Sequence, residues 1–415
     1  MRKNIKRILS LTLALTMFLQ GINPTVIFAM GEELVNSVLE SSEIDESEIN
    51  GTSEDEISDN LDVIENEISE VVEDERLRNF MPTSEEVDEL SGYIEIYTAS
   101  DLQSIRSNLT GNFKLMNDID LEDVAWTAIG SSYTPFKGKL NGQGFKIKNL
   151  RLNSNTNDQG FFGYANGAKI SNLILENASV DTAANYWNNT GALLGVAVNY
   201  TLIENCAVVG GVVRNIYRYA SGMVGQLVNS TISKSYTMNA VDGKQYVGGL
   251  AGYISGNSKI IDSYSRSFVG GNAGQTYGIT PADAPAIVEN VYFAGSLVNG
   301  DNAITNGEMK NCFYDIDKVR VPNPEGTGKT FDEIQSEGTF DDWDFSNIWI
   351  IDESYPYPHL QETPVIKAEG TIDNPREIKT VTDLKSIAGE PRIAYILMND
   401  IDLEGNYMVC DRNFR

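Results

Sequence analysis

Few residues of this 415-residue chain are placed to do bond-making chemistry. It has one histidine, His359. A zinc-peptidase helix needs His-Glu-x-x-His, so that two imidazoles and a general base share one helical face. The sequence contains no such string. A Ser-His-Asp arrangement would have to use His359, and nothing beside it reads as a nucleophile turn, so it is expected to be structural. Asp118, Asp120 and Asp123 suggest a calcium loop, but Ile119 and Leu121 alternate with the acids, which is strand patterning. Gly326-Thr-Gly-Lys-Thr330 approaches a phosphate loop, yet the position needing its first glycine is Asn323. Arg214, Arg218 and Arg266, with Tyr217 and Tyr219, could line a lateral groove, where carboxylates and a basic group would cut an acidic polysaccharide. No constellation recurs or converges by spacing. The expectation is a chain with no catalytic centre, no cofactor and no metal site.

What recurs is glycine. Gly160-Phe-Phe-Gly163, Ala192-Leu-Leu-Gly195, Gly222-Met-Val-Gly225 and Gly249-Leu-Ala-Gly252 place their second glycines 32, 30 and 27 residues apart. Each is followed by a strand-like segment starting at Ile170, Ile203, Ile232 or Ile260, and weaker copies start at Ile147, Val288 and Met309. Strand formers and glycine in a unit of this length, without helical periodicity, indicate a β-solenoid with one unit per coil. Gly160, Gly163, Gly195, Gly222, Gly225, Gly249 and Gly252 are read as structural, serving corners that need positive φ or close approach between coils.

Aligning the seven segments gives columns. Two run Leu150, Leu173, Cys206, Ser235, Ser263, Val291, Cys312 and Leu152, Leu175, Val208, Thr237, Ser265, Phe293, Tyr314. They lie two residues apart and should point inward together. Between them, Arg151, Ile174, Ala207, Tyr236, Tyr264, Tyr292 and Phe313 suit an outer face.

Around the array the composition shifts. Residues 1–29 read as a secretion signal: Arg2, Lys3, Lys6 and Arg7, an apolar run from Ile8 to Ile22, and a small Ala29. No later stretch is apolar enough to span a membrane, so the exported chain is expected to be soluble. Residues 30–92 read as an acidic, disordered linker. Gly31 to Ser91 holds 22 acidic and two basic residues of a chain with net charge −28. Its short heptad seam (Ile57, Leu61, Ile64, Ile68, Val71) is too brief for a stable isolated helix. The charge argues against nucleic acid as a partner. Residues 93–362 form the array, opened by a short capped helix from Ser100. The aromatic stretch Phe340–Trp349 is expected to lid its end. Residues 363–415 restart the opening: Glu95-Ile-Tyr-Thr-Ala-Ser-Asp-Leu and Leu115-Met-Asn-Asp-Ile-Asp-Leu return 282 residues later at Glu377 and Leu397. That reads as a truncated second array.

The Gly-Met-Val-Gly and Gly-Gly-Leu-Ala-Gly strings with their Ile-x-Asn segments resemble the GLUG motif of bacterial surface proteins. So do Phe136-Lys-Gly-Lys-Leu-Asn-Gly-Gln-Gly, the Asn-Asp-Ile-Asp-Leu opening and the Trp-Asp-Phe…Tyr355-Pro-Tyr-Pro close. Ala192 and a degraded unit near Gly274–Gly278 depart from the pattern. The resemblance implies an all-β, right-handed parallel β-helix of pectin-lyase type with about seven coils. It is similar to segments beside the zinc peptidase domain of immunoglobulin-A-specific proteases and in large adhesins. The expected function is a non-catalytic adhesion surface or rigid spacer on a secreted or cell-surface protein, with a host glycan, host protein or cell wall as partner. The alternatives are an accessory segment of a secreted peptidase and a polysaccharide-active β-helix enzyme.

One consequence is testable with thiol reagents. Cys206 and Cys312 share an inward column four coils apart, about 19 Å at ~4.8 Å per coil. A disulfide needs Cα atoms within about 7 Å. Native labelling should modify Cys410 alone quickly, and unfolding without reductant should expose all three; a Cys206–Cys312 bridge would break the column assignment.

Overall fold

The computed structural model describes residues 92–183, 188–271, 276–300, 302–319, 321, 325–353, 355–371, 374–387, 394–398 and 401. The segment read as a secretion signal, the stretch up to Ser91 read as an acidic linker with its heptad seam, and Cys410 lie outside the described residues.

From Ile94 onward the chain is a parallel β-solenoid. Its spine is a long sheet in which Ile170 pairs with Ile203, Ile203 with Ile232, Ile232 with Ile260, Ile260 with Val288, and Val288 with Met309. These isoleucines and Val288 are fully buried and stack like on like. Six of the seven aligned segments therefore hold the expected register. The first does not: Ile147 lies opposite Leu175 and Leu152 opposite Val180, while Leu140 fills the slot beside Ile170. The cause is a corner used twice. Asn172, Asn205, Asn290 and Asn311 bend the chain at φ of 51–53°, and so does Asn149, at 58°, but Asn149 sits one corner further on, beside Asn177. Asparagine tolerates this left-handed conformation better than other residues with a Cβ. Ile-x-Asn-Leu thus encodes a strand, a left-handed bend and a buried leucine, without saying which corner.

At the first corner the asparagines also bond to one another. Asn172 Nδ2 donates to Asn141 Oδ1, and Asn205 Nδ2 to Asn172 Oδ1, each at 3.2 Å; Asn311 Nδ2 donates to Asn290 Oδ1 at 3.3 Å. Inside, the Cys206 column is buried as expected. Ser235 and Ser263 hydroxyls accept from the backbone N–H one coil earlier, at 3.0 and 3.1 Å. Cys206 and Cys312 are free and buried, and burial raises each thiol to about 12, so both are inert at neutral pH.

The ends differ from the middle. The helix Ala99–Ser104, with a Thr98–Asp101 capping box, and the 3-10 turn Ile105–Ser107 after it bury Leu102 and Ile105 in the core of the first coil. The restart builds the same unit: Arg376–Ile378 pairs with Tyr395–Leu397, and Thr380 and Asp383 cap Val381–Ser386. In the first copy Leu115 and Met116 are buried beneath the next coil, whereas Leu397 and Met398 are exposed.

The aromatic close does not lid the open end. It runs back along the flank of the coils as a strap. Trp343 Nε1 donates to the Asn311 carbonyl (3.1 Å), Tyr292 Oη to Pro358 (2.8 Å) and Tyr236 Oη to Pro364 (2.7 Å). Glu362 then meets Asn205 Nδ2 at 2.9 Å and Lys234 Nζ at 3.6 Å. Beneath it, the column read as an outer face is buried from Ile174 to Phe313, while Arg151, out of register, stays exposed. Tyr236, Tyr264 and Tyr292 stack with centroids 4.8 and 4.9 Å apart and planes within 7°. Trp349, paired antiparallel with Leu360, packs on Tyr264 and Tyr292. A period-two pattern says which side chains leave the core, but not whether a distant segment covers them.

The two cores can be probed separately. Leu173→Ala should cost about 2–5 kcal/mol and Trp349→Ala about 3–5 kcal/mol. Denaturant titration of the full chain reads both; a loss under about 1 kcal/mol at Trp349 would show that the strap does not hold the coils.

Candidate functional site: a groove along the glycine corner

Each middle coil leaves the long sheet through two short parallel sheets. One stacks Asn189–Gly191, Tyr219–Ser221, Val247–Gly248 and Thr276–Tyr277; the other stacks Phe162–Asn166, Leu194–Val198, Val224–Val228 and Ile254–Ser255. The Gly-x-x-Gly strings join them. Gly163, Gly195, Gly225 and Gly252 form one column, and none has positive φ. Their constraint is space. A Cβ on Gly195 would sit 2.5 Å from the Asp158 carbonyl carbon, and one on Gly225 would sit 2.5 Å from Thr190 N and 2.6 Å from Gly195 O. The first glycines turn carbonyls inward, where Asn239 Nδ2 donates to Gly222 (3.1 Å) and Thr237 Oγ1 to Gly249 (3.0 Å).

This close approach makes the corner re-entrant. Outward side chains on a convex corner diverge, but here they meet. Tyr246 and Tyr253, on opposite arms of one coil, lie 5.5 Å apart at 72°, and Tyr219 stacks on Tyr253 at 5.3 Å and 26°. Arg218 sits over Tyr219 (4.7 Å) and Tyr246 (5.3 Å). Tyr253 Oη donates to Asp283. One arm carries Asp158, Asn189, Tyr219 and Tyr246 on successive coils; the other carries Tyr164, Val196, Gln226 and Tyr253. Asn189 Nδ2 donates to Asp158. Burial raises the Asp158 carboxyl against the opposing effect of that bond; burial, then the Asp158 charge, raises the Tyr164 phenol. Burial, then Asp283, raises Tyr253 well above the ordinary phenol range.

The residues singled out from the sequence do not converge. Arg266 is buried under the strap, its guanidinium 4.1 Å from the Tyr357 ring centroid and 5.2 Å from that of Tyr355, and it donates to Tyr355 Oη. Arg214 lies on the long sheet between Asp181 and Asp242. Only Arg218 and Tyr219 belong to the groove, and Tyr217 follows the Asn215 turn. His359 is buried against Tyr355, Nδ1 3.3 Å from the Tyr357 carbonyl and Nε2 3.7 Å from Asp352. Asp118 binds Lys146 N (2.9 Å) and Lys148 Nζ (2.8 Å), and Asp120 accepts from Asn149 Nδ2 (2.9 Å). Thr327–Lys329 is a strand, and Thr330 caps the helix Phe331–Ile334. Among the described residues no three His, Cys, Asp or Glu side chains group as a metal site, and no helix is long and apolar enough to cross a membrane. Sequence reading missed Tyr246, Tyr253, Asp158, Asn189 and Asp283. The signal for the tyrosines was their offset: Tyr219 and Tyr246 stand six residues before a second glycine, and Tyr164 and Tyr253 one after.

Residues 31–210 match the family model of the M26 IgA1-specific metallo-endopeptidase N-terminal region. Halomucin of Haloquadratum walsbyi is 32% identical over 182 residues, 40% of this chain and 2% of that protein. The immunoglobulin A1 protease of Streptococcus sanguinis is 27% identical over 218 residues, 48% of this chain and 11% of that protein. A Bacteroides ovatus crystal structure, provisionally designated an immunoglobulin A1 protease, superposes with a TM-score of 0.49 at 20% identity over 66% of this chain and 94% of that one. Residues 31–210 are thus similar to the region that accompanies IgA-specific metallopeptidases, and the chain spans only a small part of its curated relatives. The assignment of the fold rests on the strand register of the chain itself.

Gly225→Ala tests the pinch. The added methyl must part the two short sheets, at a cost of about 1–3 kcal/mol. Near-UV circular dichroism should lose tyrosine signal as Tyr219 and Tyr253 separate; an unchanged spectrum and melting temperature would mean the corner has room to spare.

Proposed function

We propose that the chain is an exported β-helix segment of the immunoglobulin A1 protease kind, which holds the substrate while another domain cuts it. The observation that carries this reading is the match of residues 31–210 to the region that accompanies such peptidases. The sequence is consistent with it: one histidine cannot make His-Glu-x-x-His, and the basic-then-apolar start suits export. A rigid frame suits the task, because a surface fixed by continuous ladders loses little conformational entropy on binding. A second reading is an adhesion surface or rigid spacer, a task that the continuous parallel ladders of the coils would also suit.

Immobilised full chain should retain IgA1 over IgG in a surface-binding assay, and prolonged incubation should leave the IgA1 heavy chain intact on a denaturing gel. Cleaved heavy chain would overturn the non-catalytic part. Equal retention of both immunoglobulins, or of neither, would overturn the substrate-holding part and favour the spacer.

A further inference from the structure

We propose that the glycine-corner groove binds an extended, uncharged glycan chain. This does not depend on the immunoglobulin reading, since the groove is argued from its own lining.

The aromatic end is built and held in advance. Tyr246 and Tyr253 are half-buried and present part of their rings to solvent. Tyr219 behind them is buried, sandwiched between Arg218 and Tyr253, and acts as their support. Asp283 fixes the Tyr253 hydroxyl. Rings fixed in this way lose little rotamer freedom when a ligand packs on them. Their faces suit the C–H face of a pyranose ring, which is apolar on its flat side and ringed by hydroxyls.

The polar end supplies partners for those hydroxyls. Gln226 stands in the same outward column as Tyr253, one coil before it, and Asn189 and Asp158 lie two and three coils from Tyr246. At ~4.8 Å per coil the groove from Asp158 to Tyr246 runs about 14 Å, long enough for a short oligosaccharide laid along the axis. Among the described residues Asn189 Oδ1 is buried without a hydrogen-bond partner, and a polar atom so placed carries a cost unless something bonds to it. An amide donates and accepts, and a carboxylate accepts, in the planar patterns that sugar hydroxyls fill.

Two features select the class. Among the described residues that line it, the groove carries two carboxylates, Asp158 and Asp283, against one cation, Arg218, which is already seated on the rings. That balance repels sialylated and uronic chains and leaves neutral ones. A peptide strand binds by adding to an open sheet edge. Here the strands on both arms are paired to the coils on either side, so the groove offers side chains and no free edge. Val196 is the sole aliphatic residue of the two facing columns, too little for an apolar peptide.

Isothermal titration of the full chain tests this with neutral hexasaccharides of the glucan, mannan and N-acetylglucosamine series, and with hexagalacturonate. At least one neutral series should bind and hexagalacturonate should not. Tyr253→Ala, and the surface change Gln226→Ala, which leaves the aromatic cluster packed, should each weaken binding about tenfold. Tyr97→Ala, at an exposed tyrosine beside the N-terminal capped helix, should not. Saturation by no neutral series, tighter binding of hexagalacturonate, or equal affinity in Gln226→Ala and the parent chain would each overturn the assignment.

Discussion

Every other feature depends on the parallel register between coils. In such a ladder each side chain lies directly above its own counterpart, about 4.8 Å away. A column therefore accepts only residues that tolerate a copy of themselves. Isoleucine on isoleucine fills the interior, tyrosine on tyrosine stacks with nearly parallel rings, and asparagine on asparagine passes an amide hydrogen bond along the corner. Like charges tolerate this poorly, and the half-buried column Asp181, Arg214, Asp242 alternates in sign, although Lys139 does stand beside Lys169. The repeat in the sequence is this stacking rule written along the chain.

Glycine serves two kinds of corner for different reasons. Left-handed corners accept asparagine or glycine alike, as where Gly167, Asn199, Asn229 and Gly256 stack at φ of 47–66°. At the Gly-x-x-Gly corner φ is ordinary, and glycine is there because two sheets leave no volume for a Cβ. The groove follows from the second case. Closing the two sheets onto one another brings together outward side chains that would otherwise stand apart on separate faces.

These physical differences explain what could be read from the sequence. The inward columns were legible because burial imposes apolar or small residues at a fixed offset in every coil, and Leu173, Leu175, Cys206 and Cys312 are buried as expected. The place of Ile147 was not, because Ile-x-Asn-Leu specifies a bend and not its position in the coil. The strap was hidden for another reason. Its contacts join residues 32 to 157 positions apart, from Trp343 with Asn311 to Glu362 with Asn205, and local spacing carries no trace of them. Arg266 was misplaced for the same reason: cation and aromatic neighbours in the sequence suggested an open groove, while its actual partners, Tyr355 and Tyr357, arrive from the far side of the fold. The groove itself was half visible, in tyrosines at constant offsets from the second glycines.

The strap also changes the statistics of unfolding. A bare solenoid is close to a one-dimensional chain of nearest neighbours, in which each coil melts when its neighbour does and the ends fray first. Here one segment touches Asn311, Tyr292, Tyr236 and Asn205 in turn, crossing the whole middle of the array against its direction. A coil in that span cannot open without also detaching the segment from the other coils. Next-neighbour and longer couplings enter the partition function, and partly opened states lose their weight. The stretch from Asn205 to Asn311 then behaves as one cooperative block, so a pull on either end meets a single barrier in place of a series of small ones.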